Sequence, residues 1–262
     1  MERGRSIVDV LNAVMADLPP EMGILFSGGV DSGLLAAIAG RRGRPTLYTV
    51  GMDGAPDLIA AGDAAARLDL PWRPIIVDAD ELEHHCLSLL EMVPPDDPVT
   101  VSFELPLQIV ASVAKEDLLI TGQGADELFA GYHRYLPMAP VELEAAMGTD
   151  LKRVVEHVAP LERRIAARHG KEVRQPYLDC RTIGVVREIP AGEMIAHGIR
   201  KAPLRQAAEL MGLGPTASRE KKAAQYGSGF MNVLRARARD RSLTLRGYLE
   251  ELAGTEMQRY SN

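Results

Sequence analysis

The sequence predicts an α/β protein: a doubly wound, mainly parallel sheet with helices on both faces, followed by a helical C-terminal portion. Short apolar runs alternate with helix-like segments through the first half of the chain. From about residue 140 the strand-like runs give way to helical segments punctuated by prolines. Alternating strands and helices are typical of parallel sheets, because each parallel crossover needs a helix-length connection.

The elements follow in order along three parts of one domain. Residues 1–20 are expected to form an N-terminal helix, because apolar residues recur there at helical spacing. Residues 21–140 form the α/β core, with candidate strands at 23–26, 46–50, 74–77 and 117–121 and candidate helices at 30–40, 57–68, 80–92 and 102–114. Residues 141–262 form the helical portion, with candidate helices at 141–168, 181–189, 201–212 and 230–252.

Composition excludes several classes of protein. The 262 residues are 46% hydrophobic and 25% charged, which is typical of a globular domain, and no apolar run is long enough to span a membrane. The N-terminus does not resemble a signal peptide, and the two cysteines form no CxxC pair, so a cytoplasmic protein is expected. A net charge of −6 argues against a nucleic-acid partner, and the alternating arginines between 235 and 241 are interpreted as a solvated face.

Two glycine-rich segments directly follow candidate strands. They are SGGVDS at 27–32 and TGQG at 121–124. The carboxyl ends of parallel strands share one edge of a sheet, so both segments are expected on the edge where such folds bind ligands. Glycines before a helix let backbone N–H groups approach an anion such as phosphate. No lysine completes a Walker A motif, and the carboxylate of Asp31 would repel phosphate unless it holds Mg²⁺.

Purely structural interpretations remain open for the glycines and for several charged residues further along the chain. The glycines could serve only as strand-to-helix turns, and Asp126 and Glu127 could cap a helix that starts near Gly124. Arg174 and Asp179 could either shape a site or lock a loop through an ion pair.

The chain resembles the PP-loop ATP pyrophosphatases, and within them the synthetase domain of asparagine synthetase. SGGVDS is similar to the pyrophosphate-binding loop, and ITGQGADELFAGYHRY (120–135) to the second signature. Four further matches follow the family's order: VGMDGAPDLIAA (50–61), EVRQPYLD (172–179), KAPLRQA (201–207) and REKKAAQYGSGF (219–230). The resemblance implies a five-stranded PP-loop (adenine nucleotide α-hydrolase-like) fold that binds ATP and Mg²⁺.

The resemblance also implies roles for individual residues. The nucleotide and its pyrophosphate would be bound by Leu25, Ser27, Gly28, Gly29, Asp31, Ser32, Val50, Thr121 and Gly122, with Arg219 and Lys221 as further candidates. Asp31 and Asp126 would hold Mg²⁺. Lys201 would neutralise the charge that develops on the α-phosphate or the leaving group, and Gln123 would face the amine.

The chain departs from the family pattern at three places. Residue 2 is glutamate where glutamine-dependent members carry a catalytic cysteine, and only about 20 residues precede the loop, which implies a synthetase without a glutaminase domain. Ammonia would then come free or from a separate glutaminase subunit, or another amine would replace it. Gln123 stands where asparagine synthetases carry a carboxylate, and Ala130 replaces a glycine. A neutral amide cannot act as a base, so asparagine itself is placed in doubt as the product.

The expected function is therefore an amide-forming ligase that adenylates a small carboxylic acid with ATP and joins it to ammonia or another amine. Two alternatives stay open: a PP-loop enzyme that modifies RNA, and a nucleotide-binding subunit or regulator without turnover. The motifs do not identify the acid or define an oligomeric state.

Overall fold

The computed structural model describes residues 2–214 and 227–260 of the chain. The strands are β1 Gly23–Leu25, β2 Thr46–Gly51, β3 Trp72–Ile76, β4 Leu118–Ile120, β5 Glu172–Arg174, β6 Ile195–Ala196 and β7 Ile199–Arg200. The helices are α1 Glu2–Ala16, α2 Val30–Gly40, α3 Pro56–Leu68, α4 Ala79–Leu90, α5 Pro98–Val113, α6 Ala125–Leu128, α7 Pro140–Arg153, α8 Ala159–Arg168, α9 Cys180–Arg187, α10 Ala202–Leu210, α11 Phe230–Asp240 and α12 Leu245–Tyr260.

Strands β1 to β5 form one parallel sheet in the order β3-β2-β1-β4-β5. The doubly wound, five-stranded fold that was predicted is confirmed. Strand order reverses beside β1: the chain moves outward from β1 through β2 to β3 and then returns to β4 on the other side. The crevice outside the carboxyl ends of β1 and β4 is therefore the switch point at which such sheets bind ligands.

Side chains alternate along the central strands into two hydrophobic cores, one on each face of the sheet. Ile24 and Leu47 belong to the core that includes buried residues of α1, α2 and α10. Tyr48 and Leu119 belong to the core that includes α4, α5 and α11. Because both faces are covered, the strands read as continuous apolar runs, which is what made them visible in the sequence.

The C-terminal portion differs from expectation in three ways. It supplies β5, an edge strand in which only Val173 is buried, so its three residues carry no hydrophobic run. The candidate helix at 141–168 is broken by a π-helical turn, Val154–Val158, between α7 and α8. The candidate helix at 230–252 is two helices, because α11 ends before Arg241.

The arginines near the C-terminus face solvent as expected, with Arg235, Arg239 and Arg241 exposed and Arg237 half-buried, and two of them also form ion pairs. Arg237 and Arg241 both form ion pairs with Glu83 on α4. Arg241 also pairs with Glu251 on α12, at 2.8 Å. These contacts fasten the last two helices to α4. Within the described ranges, no helix combines the length and the apolar character needed to cross a membrane.

Candidate functional site

The segment after β1 is a tight loop that leads directly into α2. Gly28 has a φ of +68°, and a Cβ at this position would lie 2.7 Å from the carbonyl oxygen of Ala60. Gly29 is the N-cap of α2, and the Ser27 N–H donates to the Ser32 hydroxyl at 3.2 Å. Only glycine fits the backbone at residue 28. The loop therefore places successive N–H groups at a helix N-terminus, an arrangement suited to an anion.

The segment after β4 lies against this loop, as predicted. A Cβ on Gly122 would lie 3.4 Å from the Cβ of Asp31 and 3.8 Å from the Ser32 nitrogen. Thr121 is buried, and its N–H donates to the Arg174 carbonyl at 3.1 Å. The two glycine-rich segments thus meet at the switch point between β1 and β4.

Lys201 joins the two segments through a buried network of charges. Its Nζ lies 2.7 Å and 2.8 Å from the two carboxylate oxygens of Asp31. The same Nζ lies 2.7 Å from Oδ1 of Asp126. Burial by itself lowers the pKa of the Lys201 ammonium, but the charges of Asp126 and Asp31 outweigh it and raise the pKa. The lysine is therefore held as a cation, with its own side chain and that of Asp31 buried.

The backbone around Lys201 is shaped to deliver this side chain. Lys201 immediately precedes α10 as its N-cap, so it is not within the helix as expected, and it adopts left-handed φ and ψ of 60° and 34°. For a residue with a Cβ this conformation costs on the order of 1–2 kcal/mol. The Ala202 N–H donates to the Met194 carbonyl at 2.9 Å, which ties this turn to the segment before the β6–β7 hairpin. Strained conformations of this kind concentrate at functional sites.

Gly131 allows the network to close. A Cβ on this residue would lie 1.9 Å from Oδ1 of Asp126 and 2.3 Å from Cε of Lys201. Its N–H donates to the Asp126 carbonyl at 2.7 Å, and its own carbonyl accepts from Arg200. Ala130, which replaces a family glycine, keeps a glycine-like φ of 52°. The turn after α6 is therefore left-handed at residue 130 even with alanine there.

The predicted magnesium ligands, Asp31 and Asp126, fit a hard cation in their chemistry. Both are carboxylates held on one ammonium, and the Asp126 side chain is 39% exposed. Among the described residues no group of three or more His, Cys, Asp or Glu side chains is placed to hold a metal. The protein would thus supply two ligands. This is common for Mg²⁺, which takes one or two carboxylates and completes its coordination shell with phosphates and water. Metal binding by this pair remains a prediction.

Glu127, a candidate helix cap in the sequence, is buried and accepts a hydrogen bond from the Tyr132 hydroxyl. Burial raises the pKa of Glu127 to about 7, although that hydrogen bond lowers it. No contact with Lys201 like that of Asp126 is made. Its neighbour Asp126 points to the lysine, whereas Glu127 points into the domain.

A second pair of buried carboxyl groups lies behind Thr121, and the sequence analysis missed both. Oε2 of Glu162, on α8, receives the Thr121 hydroxyl at 3.0 Å and the Gln175 amide at 2.6 Å. Glu104 on α5 is only 1% exposed, and its Oε1 has no hydrogen-bond partner. Burial raises the pKa of Glu162 to about 7, and burial together with the Glu162 charge raises the pKa of Glu104 well above its usual range. A glutamate inside the apolar run VSFELPLQIV is the signal that could have revealed Glu104.

The remaining predicted residues are placed as follows. Leu25 ends β1 and Val50 lies next to the end of β2, both at the carboxyl edge. Gln123 is half-buried in the turn that precedes α6. Arg219 and Lys221 lie outside the described residues.

The segment EVRQPYLD supports the site from behind and forms no ion pair between Arg174 and Asp179. Arg174 pairs with Glu172, and Asp179 caps α9 and pairs with Arg181 at 3.0 Å. Tyr177 makes the direct link to the site, because its hydroxyl donates to the Asp31 carbonyl at 2.9 Å. This motif therefore fixes the backbone of the β1 loop.

The sheet and its switch-point crevice define an α/β domain built to bind a ligand at the carboxyl edge. Comparison with known proteins identifies the family. The sequence profile described as asparagine synthase matches residues 10–153 and 138–258, and the chain belongs to that family.

Two known relatives illustrate the likeness. A protein named glutamine-hydrolysing asparagine synthetase 1 in Methanocaldococcus jannaschii is 28% identical, over 80% of this chain and 46% of that protein. Asparagine synthetase B of Escherichia coli K12 is 28% identical, over 84% of this chain and 43% of that one. The chain thus spans less than half the length of these relatives. The solved NMN synthetase of Francisella tularensis aligns with a TM-score of 0.47 and 11% identity, over 97% and 85% of the two chains.

Proposed function

We propose that this chain is an ATP-dependent ligase that adenylates a small carboxylic acid, releases pyrophosphate, and transfers the acyl group to ammonia or another amine. The observation that carries the proposal is the Lys201 ammonium, which lies within 2.8 Å of both Asp31 and Asp126 beside the β1 loop. A fixed cation next to an anion-binding loop suits a reaction in which an anion attacks a polyanion.

The first step is nucleophilic substitution at the α-phosphorus of ATP. A carboxylate oxygen of the acid forms the new P–O bond, and the bond to the bridging oxygen breaks, so that its electron pair leaves with pyrophosphate. The N–H groups of Gly28 and Gly29 and the start of α2 would bind the departing pyrophosphate. Lys201 would stabilise the charge that accumulates between the α-phosphate and the leaving group.

Asp31 and Asp126 would hold Mg²⁺ at the phosphates. When bound, the ion supplies positive charge that screens the phosphate oxygens from the attacking carboxylate. The two aspartates also keep the Lys201 ammonium in position. Tyr177 supports this arrangement, since its hydrogen bond fixes the Asp31 backbone.

The second step joins the amine to the acyl-adenylate. The nitrogen forms a bond to the acyl carbon, and the acyl C–O bond breaks with its electron pair on AMP. Gln123 lies in the turn after β4, where its neutral amide can donate and accept hydrogen bonds. The residue would orient an amine without binding an ammonium ion as a carboxylate does.

The direct test measures pyrophosphate and AMP together, with ATP, Mg²⁺, ammonia and a panel of carboxylic acids that begins with L-aspartate. Acid-dependent release of both in equal amounts is the expected result. An acid labelled with ¹⁸O in its carboxylate should pass one labelled oxygen to AMP, because that oxygen attacks the α-phosphorus. ADP with phosphate, or AMP without label, would contradict adenylation.

Two further outcomes would identify the alternatives. Tight ATP binding without turnover on any acid would indicate a nucleotide-binding subunit. Pyrophosphate release that depends on added RNA would indicate an RNA-modifying enzyme, although the net charge of −6 argues against an RNA-binding surface.

A further inference from the structure

We propose that Glu162 accepts, through the Thr121 hydroxyl, the proton that the amine loses when it attacks the acyl-adenylate. The inference rests on the proposed function and adds a residue to its second step. Glu162 acts through Thr121 and is therefore a positioning residue, whereas Thr121 is the group at the edge of the crevice.

Thr121 stands at the carboxyl end of β4, and Glu162 lies on α8 within hydrogen-bond distance of its hydroxyl. Thr121 follows β4 and precedes Gly122, which contacts Asp31. Its hydroxyl lies 3.0 Å from Oε2 of Glu162, and both residues are buried. A threonine hydroxyl can donate one hydrogen bond and accept two. With its proton directed to Glu162, Thr121 has acceptor capacity left for a proton from the crevice.

The surroundings of Glu162 favour ionisation of Glu162 over ionisation of the neighbouring Glu104. The Gln175 amide donates to Glu162 at 2.6 Å and also contacts the Ala159 carbonyl, which fixes its orientation. Glu104 has no such donors, so burial and the charge of Glu162 raise its pKa well above the usual range. A charge on one buried carboxyl group disfavours ionisation of a neighbouring one. Glu104 therefore keeps its proton and Glu162 is the carboxyl group that titrates.

The Glu162 carboxyl group changes protonation near neutral pH. Burial raises its pKa to about 7, against the lowering effect of Gln175, Thr121 and the Arg163 charge. The Glu127 charge adds to the increase. A base with a pKa near the working pH combines ionisation with a useful driving force for proton transfer.

Other carboxylates near the crevice are already engaged. Asp31 and Asp126 both pair with the Lys201 ammonium, and both are assigned to the ATP-binding step. Glu127 accepts from the Tyr132 hydroxyl. Gln123 is neutral. Glu162 differs from Glu127 in that its hydroxyl partner, Thr121, directly follows β4 at the carboxyl edge of the sheet.

The proton step balances without any further reactant. As the C–N bond forms and AMP departs, one N–H proton passes to the Thr121 oxygen, and the proton of that hydroxyl passes to Oε2 of Glu162. Glu162 is then neutral, and it returns the proton to water after the products leave. The second step therefore releases AMP, the amide and one proton.

The test separates the two steps of the reaction. Acid-dependent exchange of labelled pyrophosphate into ATP reports adenylation without an amine, and amide formation from ammonia reports the second step. The acid is the one that gives the highest rate in the panel above. Glu162→Gln and Thr121→Val are expected to slow amide formation by about a hundredfold. In Glu162→Gln, exchange should change by less than about threefold, since the Lys201 network is untouched; in Thr121→Val, amide formation should fall by clearly more than exchange does.

Two comparisons show whether the effect is chemical. Thr121→Ser keeps the hydroxyl and should restore most of the rate. Glu116→Gln alters a carboxylate that accepts from the Tyr48 hydroxyl at 2.7 Å at the opposite edge of the sheet, and it should leave both steps unchanged. In the wild type, amide formation should fall as the pH drops below about 7, and this part of the pH profile should be absent from Glu162→Gln.

The outcomes distinguish this inference from the proposed function. Equal losses in exchange and amide formation in Glu162→Gln would assign the residue a purely structural role and overturn the inference alone. An unchanged rate of amide formation would do the same. A wild-type chain that shows no exchange with any acid would overturn the proposed function and this inference with it.

Discussion

The Nζ of Lys201 lies 2.7 Å from Oδ1 of Asp31, although 170 residues separate the two along the chain. Asp31 stands in the first turn of α2, and Lys201 is the N-cap that precedes α10. The helical C-terminal portion therefore completes the site that the first strand and its loop begin. A change at either end of this contact should affect binding and stability together.

Replacing Lys201 by alanine should reduce pyrophosphate release by about a hundredfold, corresponding to roughly 3 kcal/mol of lost transition-state stabilisation. The midpoint of thermal unfolding should also fall, because Asp31 would remain buried without the ammonium. Initial rates and circular dichroism melting curves measure the two effects.

Lys171 provides a matched control for that variant. Its Nζ lies 3.7 Å from Asp117, so it too pairs with an aspartate, but it precedes β5 at the opposite edge of the sheet. Lys171→Ala should keep the wild-type rate. Near-normal turnover in Lys201→Ala would remove the lysine from the mechanism.

Replacing Gly131 by alanine should disrupt the same charge network without removing any charged group. The new Cβ would overlap Oδ1 of Asp126 and Cε of Lys201, so one of the two must move. We expect turnover to fall by at least tenfold, to be measured as kcat for pyrophosphate release. Gly148→Ala, in the open surface of α7, is the control and should raise stability by about 0.5–1 kcal/mol. Equal activity in both variants would contradict the tight packing at Gly131.

Replacing Gly28 by alanine tests the close approach of the β1 loop to α3. Gly28 and Gly54 both have a φ of +68°, but a Cβ would meet the Ala60 carbonyl oxygen at 2.7 Å only at Gly28. At Gly54 nothing lies within 4 Å. Gly54→Ala should therefore lose about 1 kcal/mol of unfolding free energy from backbone strain, and Gly28→Ala clearly more. Urea unfolding measures both; equal losses would show that the loop can shift.

The central strands and the shared edge of the glycine-rich segments could be predicted because they have strong local signals. Strands buried on both faces appear as apolar runs, and strand-plus-helix alternation determines which edge their loops share. Strand β5 carries no such signal, since Glu172 and Arg174 are exposed and only Val173 is buried. Its place in the sheet depends on pairing with β4, which a local pattern does not encode.

The residues of the site also fall into those that a local sequence pattern predicts and those that it does not. Asp31, Asp126 and Lys201 were identified through their motifs, yet the distances between them depend on the packing of distant segments. Glu162 gave no signal, because its helix segment PLERRIAAR also carries three arginines and reads as a solvated face. Its burial follows from the packing of α8 against α5 and β5. Position in the tertiary structure, and not the residue pattern, defines its chemistry.

Replacing Glu127 by glutamine should change how stability depends on pH. Burial raises the pKa of Glu127 to about 7 from 4.5, so between these values the folded chain keeps a proton that the unfolded chain releases. This contribution to stability is present below pH 4.5 and is lost as the pH rises through about 7. The difference in unfolding free energy between wild type and Glu127→Gln should change by on the order of 2–3 kcal/mol across this window.

Glu116→Gln supplies a control of opposite sign for that measurement. Burial alone would raise the pKa of Glu116, but hydrogen bonds from Thr46 and Tyr48 outweigh it and lower the pKa. The stability that Glu116 contributes is therefore lost as the pH falls. Identical pH profiles for wild type and Glu127→Gln would show that Glu127 titrates as it does in the unfolded chain.

Replacing Gln123 by glutamate tests how the amine is chosen. A carboxylate at this half-buried position can bind an ammonium ion, which the amide cannot, so the KM for ammonium should fall by about tenfold, equivalent to roughly 1.4 kcal/mol. Initial rates of amide formation against ammonium concentration measure this. The same charge would repel the phosphates of ATP if it pointed to them, so a raised KM for ATP with an unchanged KM for ammonium would place residue 123 at the nucleotide. A lower KM for ammonium alone would place it at the amine, and would mean that the amide in this chain favours an uncharged nitrogen nucleophile.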